Sequence, residues 1–183
     1  MITVSKLSDI PPMPPPIALT VGTFDGVHLG HQRLFKRLKE LGTSVVITFS
    51  NHPQSVLQPK EPLPLLTPFK EKIALLRSCA IDLLVILEFT LEFSKMPYDV
   101  FLREVHKYLL FSYLVLGDKA TFGYNREGNR ESSQALAHEL QFQFEYMDKL
   151  MIDDHVVSSG RIRKLISENK IADAEKLLGR KIK

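Results

Sequence analysis

The chain has 183 residues, 44% hydrophobic and 25% charged, enough for a single α/β domain with a full core and too few for two ordinary domains. Its formal net charge of +3, from 24 basic against 21 acidic side chains, suits an anionic ligand and falls short of a nucleic-acid binder's basic footprint. A single cysteine, Cys79, excludes an internal disulfide and is expected as a buried core thiol; no apolar run approaches membrane-spanning length, and the expected setting is soluble and cytoplasmic.

Early in the chain, DIPPMPPPIALTV carries prolines at 11, 12, 14, 15 and 16, which favour a stiff extended lead-in over helix or sheet. Ile17–Val21 is a short apolar run and reads as a strand. Over Leu29–Leu41 the apolar Leu34, Phe35, Leu38 and Leu41 are separated by Arg33, Lys36, Arg37, Lys39 and Glu40 at helical period, and Gly42 is a stop. Ser44–Phe49 reads as a buried strand, followed by NHPQSVLQPKEPLPLL, a proline-rich loop. Thr67, Pro68 and Glu71 resemble a capping box shifted by one position, opening a helix that continues through Ile73, Leu75 and Leu76. Ile81–Leu87 is a strand, Pro97–Leu110 a helix and Tyr113–Gly117 a strand. KATFGYNREGNRESS is polar and glycine-containing, hence a loop. Ser133–Leu140 is expected to be helical, Gln141–Met147 alternates like a strand, and Ser158–Ile166 and Ile171–Leu178 finish the chain as helices.

Strands alternating with helices imply an α/β fold, an open parallel sheet with helices on both faces. Ligands of such sheets bind beyond the carboxyl ends of the strands. The loops to inspect are therefore Gly22–Gly30, Ser50–Pro64, Gly117–Gly128 and the approach to Ser158, which are expected to converge on one cleft.

In GTFDGVHLGHQ, Gly22 and Gly26 permit tight turns and Gly30 a helix entry with little bulk. His28 and His31 fall one turn apart, over a helix N-terminus whose free N–H groups attract anions. Two imidazoles there make a phosphate site; the alternative is one capping histidine and one packed at the surface. No Gly-Lys-Ser/Thr follows, so this is not a Walker A loop, and no third ligand is near for zinc. A second anion site is expected in VVSSGRIRKLI. Ser158 and Ser159 are N-cap candidates, and Arg161 and Arg163 offer forked donors to phosphate oxygens. The alternative is an ordinary capped helix with solvated arginines. Asp153, Asp154 and His155 read as a solvated turn.

Together, H-L-G-H and S-S-G-R-I-R resemble the signature of the HIGH-type nucleotidylyltransferase superfamily. Within it, GTFDGVHLGHQRLF is similar to the prokaryotic FAD synthetase (FMN adenylyltransferase) module of bifunctional riboflavin kinase/FAD synthetases. TFSNHPQSVL, LTPFKEKIALL, GDKATFGYNREG and SSGRIRKLISENKIADAEKLLGR follow in the family's order, so the resemblance covers nearly the whole chain. It implies a Rossmann-like sheet of nucleotidylyltransferase type, with 1–183 as one FMN adenylyltransferase domain. It implies His28, His31 and Arg163 as catalytic, and Gly22, Thr23, Phe24, Asp25, Gly26, Gly30, Ser158, Ser159 and Arg161 as ATP-binding. Asn51, His52, Pro53, Phe122, Gly123 and Arg126 fall on the FMN side. Asp25 has a second reading as a residue that orients the first loop, and no residue is assigned to metal. Mg²⁺ is expected on the phosphates of ATP, since it keeps several waters and few protein ligands.

The reaction so implied is FMN + ATP giving FAD and pyrophosphate, with neither nucleic acid nor membrane as partner. The chain departs from the family pattern at Asn51 (usually Pro), at Lys119 and Ala120 (often Asp, then an aromatic or His) and at Gly160 (usually Thr). The Gly160 change removes a hydroxyl expected near the nucleotide phosphates. No P-T-A-N-like segment of the kinase half is present, so riboflavin phosphorylation is not expected and a separate riboflavin kinase would supply FMN. Two other functions suit the same residues: a non-catalytic flavin or nucleotide binder, and a nucleotidylyltransferase with another phosphorylated acceptor.

Overall fold

The computed structural model describes residues 1–61, 63–118 and 120–182. Its strands are β1 (Ile2–Val4), β2 (Ile17–Val21), β3 (Thr43–Phe49), β4 (Leu83–Leu87), β5 (Tyr113–Gly117), β6 (Gln143–Met147), β7 (Met151–Ile152) and β8 (His155–Val156). The helices are α1 (Leu29–Leu41), α2 (Pro53–Leu57), α3 (Phe69–Ser78), α4 (Tyr98–Leu109), α5 (Arg130–Leu140), α6 (Ser159–Ser167) and α7 (Ile171–Leu178). β1 to β6 form one sheet in the order β1-β4-β3-β2-β5-β6, every pairing parallel, and β7 and β8 form a small antiparallel hairpin.

Strand side chains alternate between faces, and both faces are buried. Leu19, Val45, Ile47, Leu83, Val85, Leu114 and Leu116 pack against α4 and α5 through Phe101, Leu102, Val105 and Leu136. Ala18, Val46, Leu84 and Val115 point the other way, onto Leu34, Phe35 and Leu38 of α1 and Leu76 of α3. A third, smaller cluster ties α6 and α7 to Leu29, Leu66 and Leu150. The strand order reverses at β2, which lies between β3 and β5, so the crevice at the carboxyl end of β2 is the topological switch point.

Several elements differ from the sequence expectation. The proline-rich segment after β3 contains α2, because His52 caps its first turn and Pro53 is preset for a helix start. Thr67 forms no cap on α3; its side chain is drawn instead to Gly26 N and Asp25 of a distant loop. The fifth helix starts at Arg130, three residues before Ser133, since Asn129 and Ser132 form a reciprocal capping box. β1 and the β7–β8 hairpin are too short to carry a period; the expected turn at Asp153, Asp154 and His155 lies at the hairpin's bend and is exposed. Cys79 is only half-buried, at the carboxyl cap of α3, and burial raises its thiol pKa. Among the described residues no helix is long and apolar enough to cross a membrane.

Candidate active site

Between β2 and α1 the backbone takes left-handed conformations at Phe24 (φ 49°), Gly26 (φ 85°) and Val27 (φ 39°). Such values are costly for a β-branched residue and persist only where the surroundings hold them. Phe24 and Val27 are buried, and the Phe24 ring meets His31 and Phe35 edge-on at centroid distances of 5.2 and 5.0 Å. The turn delivers His28 as the N-cap of α1, its Nδ1 accepting from His31 N at 3.3 Å. That bond leaves the neutral ring's proton on Nε2. His28 and His31 stack face to face, centroids 3.6 Å apart and planes 17° from parallel. A Cβ at Gly30 would come within 3.2 Å of the His28 ring, so glycine leaves room for the stack beside the helix start.

Both imidazoles are held neutral. Burial pushes the His28 pKa down to about 4, against a smaller upward pull from Asp25. Burial, then the neighbouring His28, takes His31 well below its ordinary value. His31 Nδ1 is shut from solvent and has no protein partner.

Both histidines line a cleft of about 270 Å³ at the switch point. Its walls include Gly22, Thr23, Phe24 and Gly30 from the first loop, Gly117 and Asp118 from the end of β5, and Val156–Ser158 from the approach to α6. Met147–Leu150, after β6, completes it; this segment escaped sequence reasoning, although the rule of carboxyl strand ends points to it. Asp118 and Lys149, both lining residues, form an ion pair at 3.7 Å. Thr20, fully buried in β2, presents an unpartnered hydroxyl among the lining residues.

Ser158 caps α6, accepting from Arg161 N at 3.2 Å, and lines the cleft. Ser159 donates to the Asp25 carbonyl at 2.8 Å. The two arginines part company. Arg163 donates to Asp25 Oδ2 at 2.5 Å and to the Pro64 carbonyl at 2.9 Å, while Arg161 turns to a separate cavity between the β7–β8 hairpin and α6–α7. Asp25 is buried and also accepts from the backbone N–H groups of Leu66 and Thr67. Its carboxylate therefore orients the loop.

Thr23 is shared with a smaller cavity of about 40 Å³ lined by Asp25, Ser50, Asn51, His52, Leu65, Thr67, Phe69 and Lys72. Asn51 is engaged there, exchanging hydrogen bonds with the Phe89 backbone at 2.8 and 2.9 Å. His52 is pushed toward the neutral form by burial and by Arg163. Buried Lys72 donates to the Phe49 carbonyl at 2.7 Å, and burial lowers its pKa. Phe122, Gly123 and Arg126 line neither cavity. Phe122 packs on the core and bridges to Gly128, Gly123 sits against Tyr98, and Arg126 is exposed. Ala120 lies on the larger cleft; Lys119 lies outside the described residues. No three His, Cys, Asp or Glu side chains converge on a metal position among the described residues.

A family model described as FAD synthetase matches residues 10–161. The chain belongs to the FAD synthetase family. Among curated relatives it is 33% identical over 170 residues to a bifunctional riboflavin kinase/FMN adenylyltransferase of Buchnera aphidicola, covering 89% of this chain and 54% of the relative. The corresponding protein of Haemophilus influenzae is 30% identical, with 89% and 55% covered. The chain thus spans about half the length of these relatives. A solved Streptococcus pneumoniae structure, named a macrolide-efflux protein, aligns with TM-score 0.80 at 25% identity over 98% of this chain and 61% of its own. Francisella tularensis pantoate-beta-alanine ligase aligns with TM-score 0.62 at 15% identity over 94% of this chain and 77% of its own, a likeness of fold. The FAD synthetase family thus appears here on the parallel, Rossmann-like sheet that the resemblance implied.

Proposed function

We propose that this chain transfers the AMP moiety of ATP to FMN, giving FAD and pyrophosphate. The observation that carries this reading is the stacked, neutral His28–His31 pair over the N-terminus of α1, in the cleft at the switch point. Membership of the FAD synthetase family supports FMN as the acceptor. An FMN phosphate oxygen attacks the α-phosphorus in line, the bond to the bridging oxygen breaks, and pyrophosphate leaves with the electron pair. No enzyme nucleophile takes part. The chain positions the reactants and donates hydrogen bonds to oxygens that gain charge.

In this reading His28, through Nε2–H, and His31 serve the phosphates at the reacting centre. Gly22, Thr23, Phe24 and Gly30 shape the nucleotide wall, and Ser158 with the first turn of α6 receives the leaving phosphates. Arg163 acts through Asp25 and meets phosphate only by exchanging that partner. Arg161 lies too far round α6 to share this task without a change of rotamer. Magnesium enters as part of the Mg·ATP substrate; Asp118 and Asp148 are the cleft's own carboxylates and suit an ion that keeps most of its waters. Asn51, His52 and Pro53 form the acceptor side, and a role for Phe122, Gly123 and Arg126 requires their loop to open from Tyr98.

The test is direct: incubate the chain with Mg·ATP and FMN and follow FAD by chromatography, with riboflavin replacing FMN in parallel. FAD from FMN alone is expected. Folded protein that binds ATP and forms no FAD would favour the binder or another acceptor.

A further inference from the structure

The loop that carries His28 has its carbonyls occupied in an unusual way. The Thr23 carbonyl accepts from Thr48 Oγ1 and Lys72 Nζ, each at 3.3 Å, and the Phe24 carbonyl from Val27 N at 3.2 Å. The Asp25 carbonyl accepts from Ser159 Oγ, the Gly26 carbonyl from Arg180 Nη1 at 2.6 Å, and the Val27 carbonyl from Gln32 Nε2 at 2.9 Å. With each of these carbonyls already paired, an incoming phosphate has N–H groups and imidazoles to meet rather than unpaired repelling oxygens.

The shortest of these bonds comes from outside both signature motifs. α7 ends at Gly179, whose left-handed φ of 72° turns the chain back, and a Cβ there would come within 2.5 Å of Leu29 Cδ2. Beyond it Ile182 N and Lys181 Nζ both bind Glu175, at 2.9 and 2.7 Å, which fixes the reversed segment. Arg180 is thereby directed at Gly26, its side chain 20% exposed and its Nε 4.0 Å from Glu71. Gln32 makes a second tie, reaching Leu178 O at 3.3 Å as well as Val27 O.

We infer that Arg180 is a positioning residue for adenylyl transfer, holding the Gly26–Val27 peptide so that His28 keeps its place over the cleft. The assignment rests on the function proposed above. A cationic donor suits this task because a charge-assisted bond is stronger than a neutral one and the peptide it holds is strained at Val27. Without it the peptide keeps only the neutral bond from Val27 N to the Phe24 carbonyl, at 3.2 Å, and the histidine that caps α1 two residues on shifts as the peptide relaxes. Small displacements of a positioned donor cost about tenfold to a hundredfold in rate.

The experiment uses Arg180→Met and Arg180→Lys in the 183-residue chain. Steady-state FAD formation, thermal midpoint and an NMR titration of the His28 imidazole are measured for each. For Arg180→Met, kcat is expected to fall about tenfold or more with KM for ATP changed less than about threefold, and the Gly26 and Val27 amide signals to shift. The His28 titration rises in this variant through loss of the Arg180 charge alone and serves only to show that the charge is gone. Arg180→Lys is expected to keep the amide signals and regain part of kcat. A folded Arg180→Met variant with parental kcat and unmoved Gly26 and Val27 amide signals overturns the inference. Should the parent make no FAD, the proposed function fails by itself, and the amide signals still decide whether Arg180 holds the loop.

Discussion

The imidazoles of His28 and His31 lie 3.6 Å apart, centroid to centroid, with the His28 Nδ1 lone pair spent on the His31 backbone N–H. One histidine thus caps the helix and faces the cleft at once; the two sequence readings of the motif are not exclusive. Replacing either ring by alanine is expected to lower kcat by about 10²–10³, the usual cost of one preorganised donor. Steady-state pyrophosphate release measures it. A His31→Ala variant at full activity would refute the assigned role.

Stability should fall on acidification below neutrality. Folded His28 takes its proton only near pH 4, whereas the unfolded imidazole takes one near 6.5. Between those values the unfolded chain binds more protons. The contribution is complete above about pH 6.5 and is lost as pH falls through about 4, roughly 3 kcal/mol from this group. His31 acts with the same sign. Urea midpoints across this range should drop with acid, and a His28→Gln variant should show a shallower slope.

Asp25 and Arg163 should behave as one unit. Asp25→Asn leaves a guanidinium with 17% of its side chain exposed and without the anionic partner it has among the described residues. The expected cost is about 3 kcal/mol in unfolding free energy, with Arg163→Met largely rescuing it, because the penalty belongs to the unpaired charge. A double-mutant cycle with simply additive losses would exclude this coupling.

Gly160 invites the opposite experiment. A Cβ there meets nothing within 4 Å, and its φ is not left-handed. Gly160→Thr should fold, gain a few tenths of a kcal/mol in helix propensity, and raise turnover about tenfold if its hydroxyl reaches a nucleotide phosphate. A well-folded variant with unchanged turnover would show that this position faces away from the phosphates.

How much was legible beforehand follows from range. β2, β5, α1 and α7 were read to the residue because period 2 and period 3.6 are local and their stops are glycines or turns. His28, His31, Gly30 and Ser158 were legible as cleft residues because each is placed by a loop, helix start or cap only a few positions from itself. The bonds of Asn51 to the Phe89 backbone, 38 positions away, were not legible, because nothing local marks so distant a partner. Arg161 and Arg163, two apart on α6, part company, one lining the cavity beside the β7–β8 hairpin and the other binding Asp25, which helix geometry allows and charge alone does not distinguish.

The sequence by itself determined the parallel α/β architecture, the switch-point loop and its two histidines. These rest on short-range periodicity, glycine conformations and a helix's open N–H groups. Only the tertiary structure decided that Asp25 belongs to Arg163 and Thr67, that Lys72 is buried beside Thr23, and that Arg180 reaches Gly26 across 154 positions. Arg163 and Arg180 reach the loop from α6 and from the segment after α7, and Thr67 and Lys72 from the segment entering α3 and from α3 itself. A charge finds its counterpart through space, and nothing local in the chain marks which one it will be.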